Sequence, residues 1–98
     1  MLLGRVVGTV VSTQKDPSMT GLKLLVVQIH DHRAKALEAY AVAVDAVGAG
    51  LGEMVLFAAG SSARQTKATE GKPTDATIMA IVDSWDVGGE IVWNKEEE

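Results

Sequence analysis

The stretch Val42-Ala43-Val44-Asp45-Ala46-Val47-Gly48-Ala49-Gly50-Leu51-Gly52-Glu53-Met54-Val55-Leu56-Phe57-Ala58-Ala59-Gly60-Ser61-Ser62-Ala63-Arg64 decides how the chain is read. Val42, Val44 and Ala46 alternate with Ala43 and Asp45, the period of two that a β-strand imposes. Gly48, Gly50 and Gly52 then occupy every second position. Glycine permits positive φ, so these three are expected to be turn glycines, serving backbone geometry rather than ligand contact. Met54–Ala59 is a continuous apolar run, too short for a helix and right for a buried strand. Gly60 ends it. Ser62 to Gln65 fits a capping box, with Ser62 as N-cap and Gln65 at N3, which predicts a short helical turn.

Two nucleotide motifs fail in this region and the next. A dinucleotide fingerprint over Gly48-Ala49-Gly50-Leu51-Gly52-Glu53 needs a third glycine at 53 and a helix after it. Glu53 stands there and a strand-like run follows. A phosphate loop around Gly71-Lys72 needs Ser or Thr at 73 and glycine at 66, where the chain has Pro73 and Thr66.

On the N-terminal side, Leu2–Thr13 is rich in valine, with Gly4 and Gly8 interrupting it where a strand would bend or bulge. Gln14–Gly21 contains Asp16-Pro17 and reads as a loop. Leu22–Ile29 is a second strand, with Lys23 pointing to solvent. His30–Ala39 is polar and reads as a loop with a helical turn. On the C-terminal side, Gln65–Thr74 reads as a charged, mobile connection and Thr77–Val82 as a strand. Gly88-Gly89 is a two-residue hairpin turn, Glu90–Trp93 the returning strand, and Trp85 and Trp93 are placed to face each other across it. The count is five or six strands. The fold class is mainly β: a small OB-like closed β-barrel, mostly antiparallel, with one or two short helical turns. Closure suits such a chain because it removes exposed strand edges.

A chain of 98 residues forms one domain, here 1–94, with 95–98 a short acidic tail expected to fray. It has no cysteine, hence no disulfide framework and no thiolate metal site. Met1–Gly8 lacks a signal-peptide pattern and no apolar run reaches membrane-spanning length, so a cytoplasmic protein with no membrane partner is expected. The net charge is −4, and Lys95–Glu98, with one positive and three negative charges, carries half of it. A mildly acidic body is a poor partner for a phosphate backbone.

The sequence resembles the EutN/CcmL family, the pentameric vertex proteins of bacterial microcompartment shells. The resemblance runs through Gly8–Lys15, Lys23–Val27, Val42–Glu53, Gly60–Arg64, Asp75, Ile78–Asp83 and Gly88–Val92. The GAG-x-GE and GSSAR elements carry it jointly. Residues His30–Tyr40 lie where the family varies. The resemblance implies a β-barrel subunit that assembles into a homopentamer, caps the vertices of a shell beside hexagonal-tile shell proteins, and performs no catalysis. A head-to-tail interface makes a ring when its rotation closes, and a flat hexagonal sheet closes only with fivefold positions. On the same basis Gly60, Ser61, Ser62, Ala63 and Arg64 are placed at a narrow pore on the fivefold axis or at the subunit interface. A helix capped by Ser62 and aimed at the axis would make a positive collar. Five copies of Arg64 facing one axis would repel each other, so Arg64 is expected to pair with Asp45 or Glu53, within or between subunits.

Two other readings compete. An OB-like module that binds a ligand or nucleic acid would need a basic groove with aromatic platforms, whereas this chain is acidic and has four aromatic residues. A metal-dependent enzyme built on His30, Asp31 and His32 would lack further ligands and a nucleophile–base pair. No cofactor, no metal and no catalytic residue are therefore expected.

Overall fold

The inside of a small β-barrel has room for few large side chains, and the strands obey that limit. A computed structural model describes residues 1–72 and 74–97, and only the backbone of Ser61. Pro73, which breaks the phosphate-loop pattern, and Glu98, the last residue of the acidic tail, lie outside the described residues. Within them the strands are β1 (Leu2–Val10), β2 (Leu24–His30), β3 (Ala36–Asp45), β4 (Met54–Ala59), β5 (Ala76–Ile81), β6 (Ser84–Val87) and β7 (Glu90–Asn94). The first five close into a barrel in the order β1-β2-β3-β5-β4, with β4 returning to β1. Every pairing is antiparallel except the short parallel one between β3 and β5. The result is the expected closed, OB-like barrel.

Its details differ from expectation in three ways. Seven strands form among the described residues rather than five or six, because Val82–Asp83 interrupts the chain and makes β6 separate from β5. Helical structure among the described residues is three short 3-10 turns, at Pro17–Met19, Gly60–Arg64 and Lys95–Glu97, rather than one or two. His30–Ala39 is not a loop with a helical turn. His30 ends β2, and Asp31 Oδ1 accepts from the Arg33 and Lys35 amides at 2.8 and 3.0 Å to make a tight hairpin turn. Strand β3 starts at Ala36, but its first five residues are exposed, so their composition looks like that of a loop.

The barrel core is Val6, Leu25, Val27, Ala43, Ala49, Val55, Phe57, Ala76 and Ile78. Phe57, Leu25 and Ile78 are its largest members, with valines and alanines filling the rest. A Cβ on Gly4 would lie 2.4 Å from Val27 Cγ1 and 2.8 Å from the Gln28 carbonyl. On β3 Ala43 faces the interior and its neighbour Val42 is 50% exposed, but Val44 is buried as well, so the alternation is not strict. Strand β4 buries Met54, Val55, Phe57 and Ala58, as a continuous apolar run covered on both faces should.

Strands β6 and β7 form a hairpin of their own, turned by Gly88-Gly89, both at positive φ. Trp85 and Trp93 are cross-strand partners and stack with centroids 5.7 Å apart, as expected. The Arg5 guanidinium of β1 lies 6.0 Å from the Trp93 ring centre, and Trp85 Nε1 donates to the His32 carbonyl at 2.8 Å. The hairpin is thus fixed to the barrel. The molecule is long for its size, 45 × 23 × 23 Å. The tail is anchored at its start, where the Lys95 amide donates to the Asp83 carbonyl at 2.8 Å.

Gly4→Ala must push Val27 and the β2 backbone apart, so it is expected to destabilise the fold by about 1–3 kcal/mol, the usual cost of overfilling a packed core. Urea unfolding followed by circular dichroism measures it, and an unchanged midpoint would contradict the close approach.

Candidate functional site

The segment from Asp45 to Glu53 is a loop held at both ends by a carboxylate. Asp45 Oδ1 accepts from three successive amides, those of Val47, Gly48 and Ala49, at 3.1, 3.0 and 3.1 Å. Its Oδ2 lies 3.4 Å from Lys23 Nζ, which also donates to the Ala49 carbonyl at 3.2 Å. Lys23 is exposed, as expected, and its ammonium also closes this network. Only 2% of the Asp45 side chain is exposed. Burial is the largest single influence on its pKa and raises it. The bonds from Val47 and Ala49, then Lys23 and Gly48, together outweigh burial, and the carboxyl titrates below its ordinary value.

Glu53 does the same work at the other end. Its Oε1 accepts from the Gly50 amide at 2.6 Å and its Oε2 from Lys95 Nζ at 3.2 Å. These two bonds, the Gly50 amide first, hold Glu53 below its ordinary pKa. Gly48 and Gly52 adopt positive φ, which this double clamp requires of them. Gly50 does not, and a Cβ there would meet Glu53 Oε1 at 3.4 Å. The loop also closes the barrel wall, because the Gly52 amide donates to the Val6 carbonyl at 2.8 Å and the Val6 amide to the Glu53 carbonyl at 3.0 Å.

Gly60–Arg64 forms a five-residue 3-10 turn directly after β4. The capping-box expectation is overturned. Ala59 stands at the N-cap with no side-chain bond, and Gln65 is the C-cap, its amide 3.4 Å from the Ser62 carbonyl. The physical reason is that the positive φ of Gly60 turns the chain two residues before Ser62. A positive collar built on a Ser62-capped helix loses its basis. The side chain of Ser61 lies outside the described residues. The turn is anchored by Ala63, fully buried, whose carbonyl accepts from the buried hydroxyl of Thr77 on β5. Thr77 was not singled out from sequence; a lone hydroxyl in the apolar run Thr77–Val82 was the available signal.

The expected pairing of Arg64 with Asp45 or Glu53 does not form within the subunit. Those carboxylates are taken by Lys23 and Lys95, and Arg64 is exposed with no ion pair among the described residues. The connection after it is more ordered than its composition suggests. Thr69 is fully buried and its hydroxyl meets that of Thr66 at 2.7 Å. His30 Nδ1 lies 3.0 Å from the Gln28 carbonyl, and His32 belongs to the β2–β3 turn. No group of three or more His, Cys, Asp or Glu side chains among the described residues is arranged to hold a metal.

The barrel thus carries a carboxylate-clamped loop and, after β4, a 3-10 turn pinned by the buried Ala63. The chain belongs to the family described as ethanolamine utilisation protein EutN/carboxysome, whose pattern matches residues 1–83. It is 47% identical over 98 residues to the carboxysome shell vertex protein CcmL of Gloeobacter violaceus, covering all of this chain and 98% of that protein. The solved structure of Gloeobacter violaceus CcmL superposes with a TM-score of 0.94 at 48% identity, over 98% of this chain and 99% of that one. The structure of GrpN, a pentameric microcompartment shell protein from Rhodospirillum rubrum, superposes with a TM-score of 0.82 at 45% identity, over 89% of this chain and 99% of that one.

Asp45→Ala leaves three amides and an ammonium without their acceptor and is expected to cost about 2–3 kcal/mol in urea unfolding at neutral pH. Because the folded pKa is depressed, the wild-type contribution is present above the ordinary value of 3.8 and is lost as pH falls through the lower folded value. The stability gap between wild type and Asp45→Ala should therefore narrow below pH 3.8. A gap that stays constant there would contradict the clamp.

Proposed function

We propose that this protein is a non-catalytic subunit of a bacterial microcompartment shell, five copies of which form a ring that caps a vertex. The observation that carries the reading is end-to-end similarity to shell vertex proteins, among them a pentameric one of nearly the same length. Residues 1–94 act as the single ring-forming domain, with 95–98 appended to it. The ring sits in the shell in the cytoplasm and meets hexagonal-tile shell proteins along its five sides. The geometric reason is general: a sheet of hexagons stays flat or rolls into a tube, and fivefold units supply the corners. Nucleic acid is not a partner on this reading, consistent with the net charge of −4.

Gly60–Arg64 is assigned to the subunit interface or the axis. Support comes from Arg64, an exposed cation whose two intramolecular candidates are already paired. A second copy is the natural source of its carboxylate.

Shell assembly in cells tests both statements. Tile proteins co-expressed with this chain should give closed polyhedra, and without it open sheets or tubes. Arg64→Glu should shift the products toward open forms. Closed polyhedra in the absence of the chain would contradict the vertex role, and normal closure with Arg64→Glu would contradict the assignment of the turn.

A further inference from the structure

The barrel core is complete without the C-terminal hairpin. Its buried members run from Val6 to Ile78, and the side chains packed against them, Ile29, Ala41 and Ile81, all precede β6. Trp93 is only 7% exposed, yet it is not a member of that core. Strands β6 and β7 make a sheet of their own, and among the described residues no backbone hydrogen bond crosses from it to the barrel. The change-over is abrupt. The Val82 amide donates to the Met54 carbonyl of β4 at 2.8 Å, which ties Val82 to the barrel. The very next carbonyl, that of Asp83, accepts from the Lys95 amide at 2.8 Å and closes the base of the hairpin. The family pattern ends at the same place, residue 83.

The hairpin is docked by side chains instead, and each reaches a different part of the barrel. Trp93 lies against Arg5 of β1, with the guanidinium 6.0 Å from the ring centre. Trp85 Nε1 donates to the His32 carbonyl in the β2–β3 turn at 2.8 Å. Lys95 Nζ donates to Glu53 Oε2 at 3.2 Å, while the other oxygen of Glu53 holds the Gly50 amide. The Lys95–Glu53 link is open to water on the lysine side, where 46% of the side chain is exposed, and such links contribute little singly.

We propose that residues 84–97 form a hinged strap, which swings off the barrel at Val82–Asp83 while the barrel stays closed, and whose docked position fixes the Glu53 end of the glycine loop. One movement withdraws Lys95 from Glu53 and Trp85 from the β2–β3 turn, so the loop and the turn respond together. A detached two-stranded hairpin is marginal in water, so release and melting of the strap coincide. The strap is then the low-stability unit of the chain and the barrel the high-stability one. It is a property of the single chain and holds whether or not five copies form a ring.

Hydrogen exchange followed by mass spectrometry, on the wild-type chain and on Trp85→Phe and Lys95→Met, tests the strap. In wild type, peptides from 84–97 are expected to exchange as one block, about tenfold or more faster than β2 and β4. Trp85→Phe removes the bond to the His32 carbonyl and keeps an aromatic ring. It should speed the 84–97 block and the 46–53 loop together by about tenfold, the worth of one hydrogen bond, and leave β2 and β4 unchanged. If Trp85→Phe unfolds throughout, Lys95→Met decides, with the 46–53 loop faster by about threefold and β2 and β4 again unchanged. Equal rates for hairpin and barrel in wild type overturn the hinge. A 46–53 loop that keeps its wild-type rate in the deciding variant overturns the coupling, and with it the strap.

Discussion

The narrow interior of a five-stranded barrel is the constraint from which the rest follows. Phe57, Leu25 and Ile78 are its largest occupants, and valines and alanines line the rest. Gly4 meets Val27 almost backbone to side chain, and Ala43 and Ala76 complete the lining. On β3, Val42 and Tyr40 lie outside while Val44 is buried. Val42 and Tyr40 are not misplaced core residues; they lie on the outer side of a strand that turns Ala43 into the core. A chain of 98 residues that puts valine and tyrosine on its surface completes its burial by association. The assembly role thus begins in the packing of a single subunit.

The loop from Asp45 to Glu53 shows how a glycine-rich element becomes rigid. Alternating glycines would normally make a flexible segment. Here a buried carboxylate gathers three amides at one end and a second carboxylate holds Gly50 at the other. Two lysines from distant positions, Lys23 and Lys95, neutralise them. The glycines supply the backbone angles and the carboxylates remove the freedom those angles bring. The same loop bonds to Val6, so the clamp helps seal the barrel wall where β1 leaves β4.

Much of this was legible in the sequence. The strands at Met54–Ala59 and around Leu24–Ile29, the Gly88-Gly89 hairpin and the tryptophan pair follow from periodicity, apolar run length and turn chemistry. The resemblance carried by the GAG-x-GE and GSSAR elements led to the family. What was not legible depended on long-range partners. The start of β3 at Ala36 is exposed and polar, so only its ladder to β2 reveals it as a strand. Arg64 was expected to pair with Asp45 or Glu53 within or between subunits; within the subunit Lys23 and Lys95 hold those carboxylates, which spacing alone does not tell. The Ser62 cap matched a local pattern that lost to the turn at Gly60 and to the anchoring of Ala63 by Thr77.

The central claim is that this barrel is a ring-forming unit of five. Native mass spectrometry of the purified wild-type chain tests it most directly. With a subunit of 10.3 kDa, the account requires a dominant species of about 51.5 kDa that survives dilution. A dominant species at 10.3 kDa, or any stoichiometry other than five, would contradict it.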